Sequence, residues 1–342
     1  MTLFVTGGAG FIGSEFVRAW IGKYPAQTLL NYDKLTYAGN LENLASVANS
    51  PSYRMIRGDV CDPDQVRDAL PDDCDAVVHF AAESHVDRSI LSAAEFVRTN
   101  VLGTQVLLDA AREKKVRRFL HVSTDEVGGS IPDGQLFRED SPLAPSSPYA
   151  ASKAAAEHLV RAAAHTFGMD TVITRTSNNY GPYQFPEKLI PLAIGNALEK
   201  QPIPVYGDGM QVRDWIHVSD NCRALMQVLE HGRPAVTYHI GGGNQVANLD
   251  LLRTLLDILD RPETLLARVT DRLGHDRRYA VDCSRIVREL GWRPMISLSE
   301  GLRATVEWYV ANQEWTAHAR SGEYRQYYDR MYGKDLTAPR VS

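Results

Sequence analysis

Near its start the chain reads "VTGGAGFIGSEF", which sets Gly7, Gly10 and Gly13 in the spacing GxxGxxG. An apolar run precedes these glycines and a helix-like run, beginning at Phe11 and Ile12, follows them. A strand that turns through glycines into a helix leaves backbone N–H groups open at the helix start, where a Cβ would bar a diphosphate. The third glycine lets helix and strand pack closely. Asp33 then ends the next apolar run, "TLLNYD", twenty residues beyond Gly13. A carboxylate there can bind the ribose hydroxyls of an adenosine and repels a 2′-phosphate, so the pattern predicts NAD rather than NADP.

The rest of the first half continues the same rhythm. "LFVTGG", "TLLNYD", "YRMIRGD", "DAVVHFAA", "RFLHVST" and "DTVITRTSNN" read as buried strands, with helical stretches such as "GTQVLLDAAREKK" between them. This alternation predicts an α/β fold: a Rossmann-type parallel sheet with helices on both faces. Residues 181–217 are rich in Pro, Gly and aromatic residues, as binding loops often are. The expected division is a dinucleotide-binding domain over 1–177, joined again by about 218–243, and a smaller mixed α/β lobe over 178–217 and 244–320.

Bulk properties remove several function classes. Asp plus Glu number 42 against 37 Lys plus Arg, a formal charge of −5, which excludes a nucleic-acid binder by net charge. No apolar run approaches the ~20 residues that span a membrane. The opening "MTLFVTGG" moves straight into a strand, so no signal peptide is expected. The four cysteines lie far apart without a CxxC pair, so neither a metal site nor a disulfide framework is expected and a cytoplasmic location is.

Two further stretches carry chemistry. "SPYAASKAAAEHLVRAAAHTFG" reads as a helix capped by Ser146 or Ser147, with Pro148 in its first turn and Gly168 at its end. Tyr149 and Lys153 are four apart and share a face. A neighbouring ammonium, with a cationic nicotinamide, is expected to lower the phenol's pKa so that it can take a proton from a sugar hydroxyl. "STDEVGGS", residues 123–130, ends a buried strand with Thr124 and two adjacent acids, Asp125 and Glu126. A solvated turn would explain the acids; so would a general acid and a general base.

"TGGAGFIG", the "ST" before the acids and "YAASK" resemble the extended short-chain dehydrogenase/reductases that act on nucleotide sugars. "DKLTYAGNLENL", "FAAESHVDRS", "NNYGPYQFPEKLIP", "PVYGDGMQVRDWIHVSD" and "DRLGHDRRYAVD" are similar, within them, to the dTDP-glucose 4,6-dehydratases. The resemblance implies that Phe11, Ile12, Lys34, Leu35, Thr36, Asp59 and Val60 contact NAD, as do Ala81, Ala82, Ser84, Thr99 and Asn179, beside Tyr149 and Lys153. It places Ser84, His85, Thr124, Asn178, Glu187, Lys188 and Leu189 at the nucleotide-sugar site. Pro204, Tyr206, Arg213, Asn248, His275 and Tyr279 complete that wall. A guanidinium suits diphosphate oxygens, although a salt bridge from Arg213 to Asp214 would also explain it.

The implied reaction oxidises the sugar at C4, eliminates water across C5 and C6, and returns hydride to C6. Tyr149, helped by Thr124 and Lys153, would act at C4, Glu126 would be the base at C5, and Asp125 the acid at the C6 hydroxyl. A homodimer, with a nucleotide sugar as the partner molecule, is also implied. The family usually reads "TDEVYG", and this chain has Gly128 where that tyrosine stands. A nucleotide-sugar 4-epimerase or a UDP-glucuronate decarboxylase shares the Tyr/Lys pair without needing two adjacent acids. A non-catalytic NAD-binding sensor need not keep all of these groups.

Overall fold

The computed structural model describes residues 1–320 together with 328, 330 and 332. Its strands are β1 (Thr2–Thr6), β2 (Thr28–Asp33), β3 (Tyr53–Arg57), β4 (Ala76–His79), β5 (Arg118–Thr124) and β6 (Thr171–Thr176). They continue with β7 (Asn178–Tyr180), β8 (Ile203–Tyr206), β9 (Val212–His217), β10 (Thr237–Ile240), β11 (Gln245–Ala247) and β12 (Leu266–Val269). β4 and β6 are buried at every position, as strands covered on both faces must be. Seven strands form one parallel sheet in the order β10-β6-β5-β4-β1-β2-β3, the expected fold class.

Strand order reverses between β1 and β4, which pair Leu3 to Ala76 through Thr6 to His79. In such sheets the crevice beyond the carboxyl ends at this point takes the ligand. The glycine loop follows β1 and Ala81 follows β4, so both stand there. One face of the sheet is covered by a cluster that includes Phe16, Trp20, Leu225 and Leu229, the other by Val66, Leu107, Leu108 and Val160. Each such side chain, fully buried, contributes about 1.5–3 kcal/mol.

The chain leaves the main sheet at Ser177 and pairs β7 in parallel with β9, which pairs antiparallel with β11. β8 and β12 form a separate parallel pair. A third core, with Ile194, Trp215, Leu251, Leu255 and Tyr309, holds these pieces and the helices Leu189–Leu198, Asn248–Leu259 and Leu298–Ala311. Among the described residues no helix is long and apolar enough to cross a membrane.

Candidate active site

The glycine loop is tight for a steric reason. Gly7 has φ of +72°, and a Cβ on it would lie 2.5 Å from the Ala81 nitrogen. A Cβ on Gly13 would lie 2.3 Å from the Gly7 carbonyl oxygen. Gly10 caps the helix Phe11–Lys23 without a side-chain hydrogen bond, and no acid stands in the first turn, so its amides are open to an anion. Asp33, buried at the end of β2, accepts from the Ala9 and Leu35 amides at 2.9 and 2.8 Å. Lys34 pairs with Asp59 at 2.8 Å. Leu35 and Thr36 follow β2, Val60 follows β3, and Ala82 and Ser84 follow β4. Thr99 lies in the π-helical stretch Val97–Leu102, and Asn179 in β7. An open helix start, glycine cradle and strand-end carboxylate fit a dinucleotide.

Beside this groove, β5 ends at Thr124 and turns into the short 3-10 helix Asp125–Gly128. Thr124 Oγ accepts from the Glu126 amide at 3.3 Å and donates to Asp125 Oδ1 at 3.3 Å. Tyr149 and Lys153 come from the helix Pro148–Phe167, which Ser147 caps through the Ala150 amide at 3.1 Å and Gly168 ends at φ +66°. Lys153 Nζ donates to the Val122 carbonyl at 2.8 Å. Burial pulls the Lys153 ammonium down to about 8, with Glu157 pulling the other way. The expected lowering of Tyr149 is not what the chain alone produces. Burial, followed by the charge of Glu126, pushes the phenol up, and the Thr124 hydroxyl opposes them.

The adjacent acids sit in different surroundings. Asp125 is 4% exposed, and its Oδ2 has no hydrogen-bond partner. Burial, then the carboxylates of Glu126 and Asp214, raise Asp125 well above the usual carboxylate range. Glu126 is raised by burial but held down by Arg272, Lys188 and Arg213. One acid is walled in against Thr124; its neighbour faces three cations in a cleft. This is not a solvated turn.

That cleft, with a cavity volume of about 150 Å³, lies between the main sheet and the smaller lobe. Glu126 and Asn178 line it from the sheet side, with Lys188, Leu189, Pro204, Tyr206, Arg213, Asn248, His275 and Tyr279 around them. Ser84 and Thr124 stand just behind: the Ser84 carbonyl accepts from Lys188 Nζ at 2.9 Å. Arg213 donates to the Val212 and Asp276 carbonyls at 2.8 and 2.9 Å and lies 4.2 Å over the Tyr279 ring. The salt bridge that might have occupied it is absent, because Asp214 accepts from the Asn244 amide at 2.7 Å instead. Its charge therefore points to an anionic ligand.

The remaining expected residues are braced. Glu187 has a fully buried carboxylate that takes the Arg88 guanidinium and stands 3.5 Å from His85 Nε2. His85 is pushed down to about 3, by burial and then by the Lys188 charge. His275 Nδ1 meets Asp271 at 2.7 Å, and the Tyr279 hydroxyl donates to Asp276 at 2.6 Å. The buried Oδ1 atoms of Asn178 and Asn248 have no partner. Sequence reading passed over Arg272, Asp87, Gln184 and Gln211, which also line the cleft. Arg272 Nη1 bonds Asp87 at 3.3 Å, and the Tyr206 hydroxyl bonds the same carboxylate at 3.1 Å. The density of cations in "DRLGHDRR" was the available signal for Arg272; nothing local marks Asp87.

Fold and site together define a short-chain dehydrogenase/reductase of the extended, nucleotide-sugar type. A family model described as GDP-mannose 4,6 dehydratase matches residues 4–305. A dTDP-glucose 4,6-dehydratase of Streptomyces niveus is 53% identical over 92% of this chain and 94% of its own length. The dTDP-glucose 4,6-dehydratase of Salmonella typhimurium is 48% identical over 97% of this chain and 99% of its own. The crystal structure of DesIV, a dTDP-glucose 4,6-dehydratase from Streptomyces venezuelae with NAD and TYD bound, superposes with a TM-score of 0.91. It is 51% identical and covers 93% of this chain and 100% of that one. The chain belongs to the dTDP-glucose 4,6-dehydratases.

Proposed function

We propose that this chain dehydrates dTDP-glucose to the 4-keto-6-deoxy sugar nucleotide with NAD as cofactor, as its relatives' names and the solved DesIV complex support. The observation that carries the reading is the unlike pair Asp125 and Glu126, one buried with a carboxylate oxygen that has no hydrogen-bond partner and one lining the cleft among cations. Bound NAD supplies a hydride acceptor at C4 and the hydride donor at C6. The Gly7–Gly13 loop and Asp33 hold its diphosphate and ribose. Tyr149 takes the proton of the C4 hydroxyl, with Lys153 and Thr124 stabilising the phenolate. A ketone at C4 makes the C5 proton acidic. Glu126 takes it, Asp125 gives its own proton to the departing C6 hydroxyl, and Glu126 returns the first proton to C5. Arg213 and Lys188 hold the nucleotide's phosphates. The adjacent acids favour dehydration over epimerisation or decarboxylation, which have no water to expel. We place the enzyme in the cytoplasm, as a homodimer.

Two variants test this. Glu126→Gln keeps the shape and loses the base, so it oxidises C4 and stalls. Reduced-nicotinamide absorbance then accumulates on mixing with dTDP-glucose, with little 6-deoxy product. Tyr149→Phe shows no such accumulation, since its defect falls at the first step. Product formation at the unmutated rate by Glu126→Gln would place the base elsewhere.

A further inference from the structure

The proposed reaction oxidises the sugar and reduces it again within one turnover, so its cofactor has no need to leave. The groove has a feature suited to keeping it. In the main sheet β4 and β2 flank β1, so the segments that follow β4 and β2 stand on either side of the glycine loop that follows β1. A dinucleotide at a switch point lies across these strand ends, and a link between the two segments spans it. The segment after β2 is pinned at both ends. The Leu35 amide donates to Asp33 Oδ1 at 2.8 Å, and the Asn40 amide donates to the Ala9 carbonyl, inside the glycine loop, at 3.0 Å. Between the pins the segment reaches across: the Tyr37 hydroxyl donates to Glu83 Oε2, in the segment after β4, at 3.2 Å. Glu83 is itself fixed, its amide donating to Asn100 Oδ1 at 2.8 Å and its carbonyl accepting from Asn100 Nδ2 at 2.9 Å.

The Tyr37 ring is seated from two further sides. Phe185, in the segment after β7, meets it edge-on at a centroid distance of 5.6 Å, and the Arg88 guanidinium lies 3.9 Å over its centroid. Arg88 Nε in turn donates to Glu187 at 3.1 Å, and Glu187 lines the sugar cleft. Segments that leave β2, β4 and β7 thus meet on one tyrosine, which neither the glycine loop nor the catalytic groups account for. We propose that Tyr37 fastens a strap over the dinucleotide groove: it positions the cofactor by shutting it in through both of its redox states, and exchange requires the Tyr37 contacts to break. The ring contacts and a hydrogen bond to a carboxylate hold the strap down.

The inference rests on the NAD-binding part of the dehydratase reading, and its test needs no sugar. The chain is loaded with radiolabelled NAD, desalted and chased with unlabelled NAD, and the label left on the protein is followed with time. Tyr37→Phe keeps the ring and loses the hydroxyl, and is expected to release label roughly tenfold faster than the unmutated chain. Tyr37→Ala loses the ring contacts as well and is expected to release it roughly a hundredfold faster. With NAD in excess, both variants make keto product from dTDP-glucose close to the unmutated steady rate, as a disrupted site would not. Without added NAD, Tyr37→Ala loses activity as turnovers accumulate and regains it when NAD is supplied. Release from both variants at the unmutated rate overturns the strap. So does a steady rate that stays depressed in both under excess NAD, which would make Tyr37 part of the general framework. An unmutated chain that makes keto product but sheds its label within seconds overturns the strap and leaves the dehydratase reading standing. If it makes no keto product, that reading falls, and the label alone decides on the strap.

Discussion

A methyl on Gly128 would lie 2.5–2.6 Å from three atoms of the Phe137 ring. The ring therefore occupies the room that a side chain at this position would need. It cannot swing away cheaply. It stacks on His239 at a centroid distance of 5.7 Å and lies under the Arg175 guanidinium at 5.6 Å. Its backbone is tied to Ala280 and Asp282 by two 2.8 Å hydrogen bonds. The absence of the family's tyrosine is thus made good from the side, by a residue nine positions later. Gly128→Ala is expected to lower stability by about 1–3 kcal/mol through overpacking. Phe137→Leu in the same chain recovers most of it, in urea midpoints taken at constant m-value. An alanine variant as stable as its parent would mean that the ring has somewhere else to go. The glycine was legible as a departure in "STDEVGGS", but its neighbour was not, because the packing that joins them is tertiary.

At the scale of the element, the helix Pro148–Phe167 carries five ionisable groups at a spacing of four: Tyr149, Lys153, Glu157, Arg161 and His165. The first two were readable from that spacing, as were Ser147 and Gly168 at its ends, because capping and periodicity are local. The direction of the Tyr149 shift was not, because desolvation depends on what the fold lays over the phenol. Nor was the bracing of Asp87 by Arg272, which joins residues 185 apart. Glu157 was also silent in the sequence. It is fully buried against Arg175 from β6, with three contacts of 2.8–3.2 Å, and its charge supports the Lys153 ammonium. Glu157→Gln strands the buried guanidinium and is expected to cost about 3–5 kcal/mol. Its effect on rate has a sign. Burial already lowers Lys153 to about 8, and losing Glu157 lowers it further. The ammonium is then lost earlier as pH rises, so the alkaline limb of the kcat profile moves to lower pH. An unmoved limb, with stability reduced, would restrict Glu157 to a structural part.

Across the whole molecule, the fold buries imidazoles in its central sheet. His79 of β4 is held down to about 3 by burial and then by the Lys153 charge, and bonds Thr6 at 2.7 Å and Thr104 at 3.0 Å. His121 of β5 lies beside it, with ring centroids 5.3 Å apart, and neither of its ring nitrogens has a partner. Burial, then the charges of Lys153 and His79, hold His121 well below its ordinary value. A group depressed in the folded state contributes stability that is present above its unfolded value, about 6.5, and lost as pH falls. Raised carboxyls such as Asp125, Glu126 and Asp214 act in the opposite sense, gaining as they protonate. The pH profile of the unmutated chain mixes these contributions, and a difference between two chains separates them. His121→Leu removes the one buried imidazole that, among the described residues, lacks a partner on both ring nitrogens, and puts an apolar side chain of similar size into a buried strand. Near neutral pH its stability should equal or exceed the parent's, since no hydrogen bond is lost and two unpaired nitrogens go. Below about pH 6.5 the parent pays for keeping its imidazole neutral and the variant does not. The gap should therefore widen by about 1.4 kcal/mol for each pH unit. Urea titrations of both chains from about pH 7 to about pH 5 measure it. A gap that stays constant over that range would mean that His121 takes up its proton in the folded chain as readily as in the unfolded one.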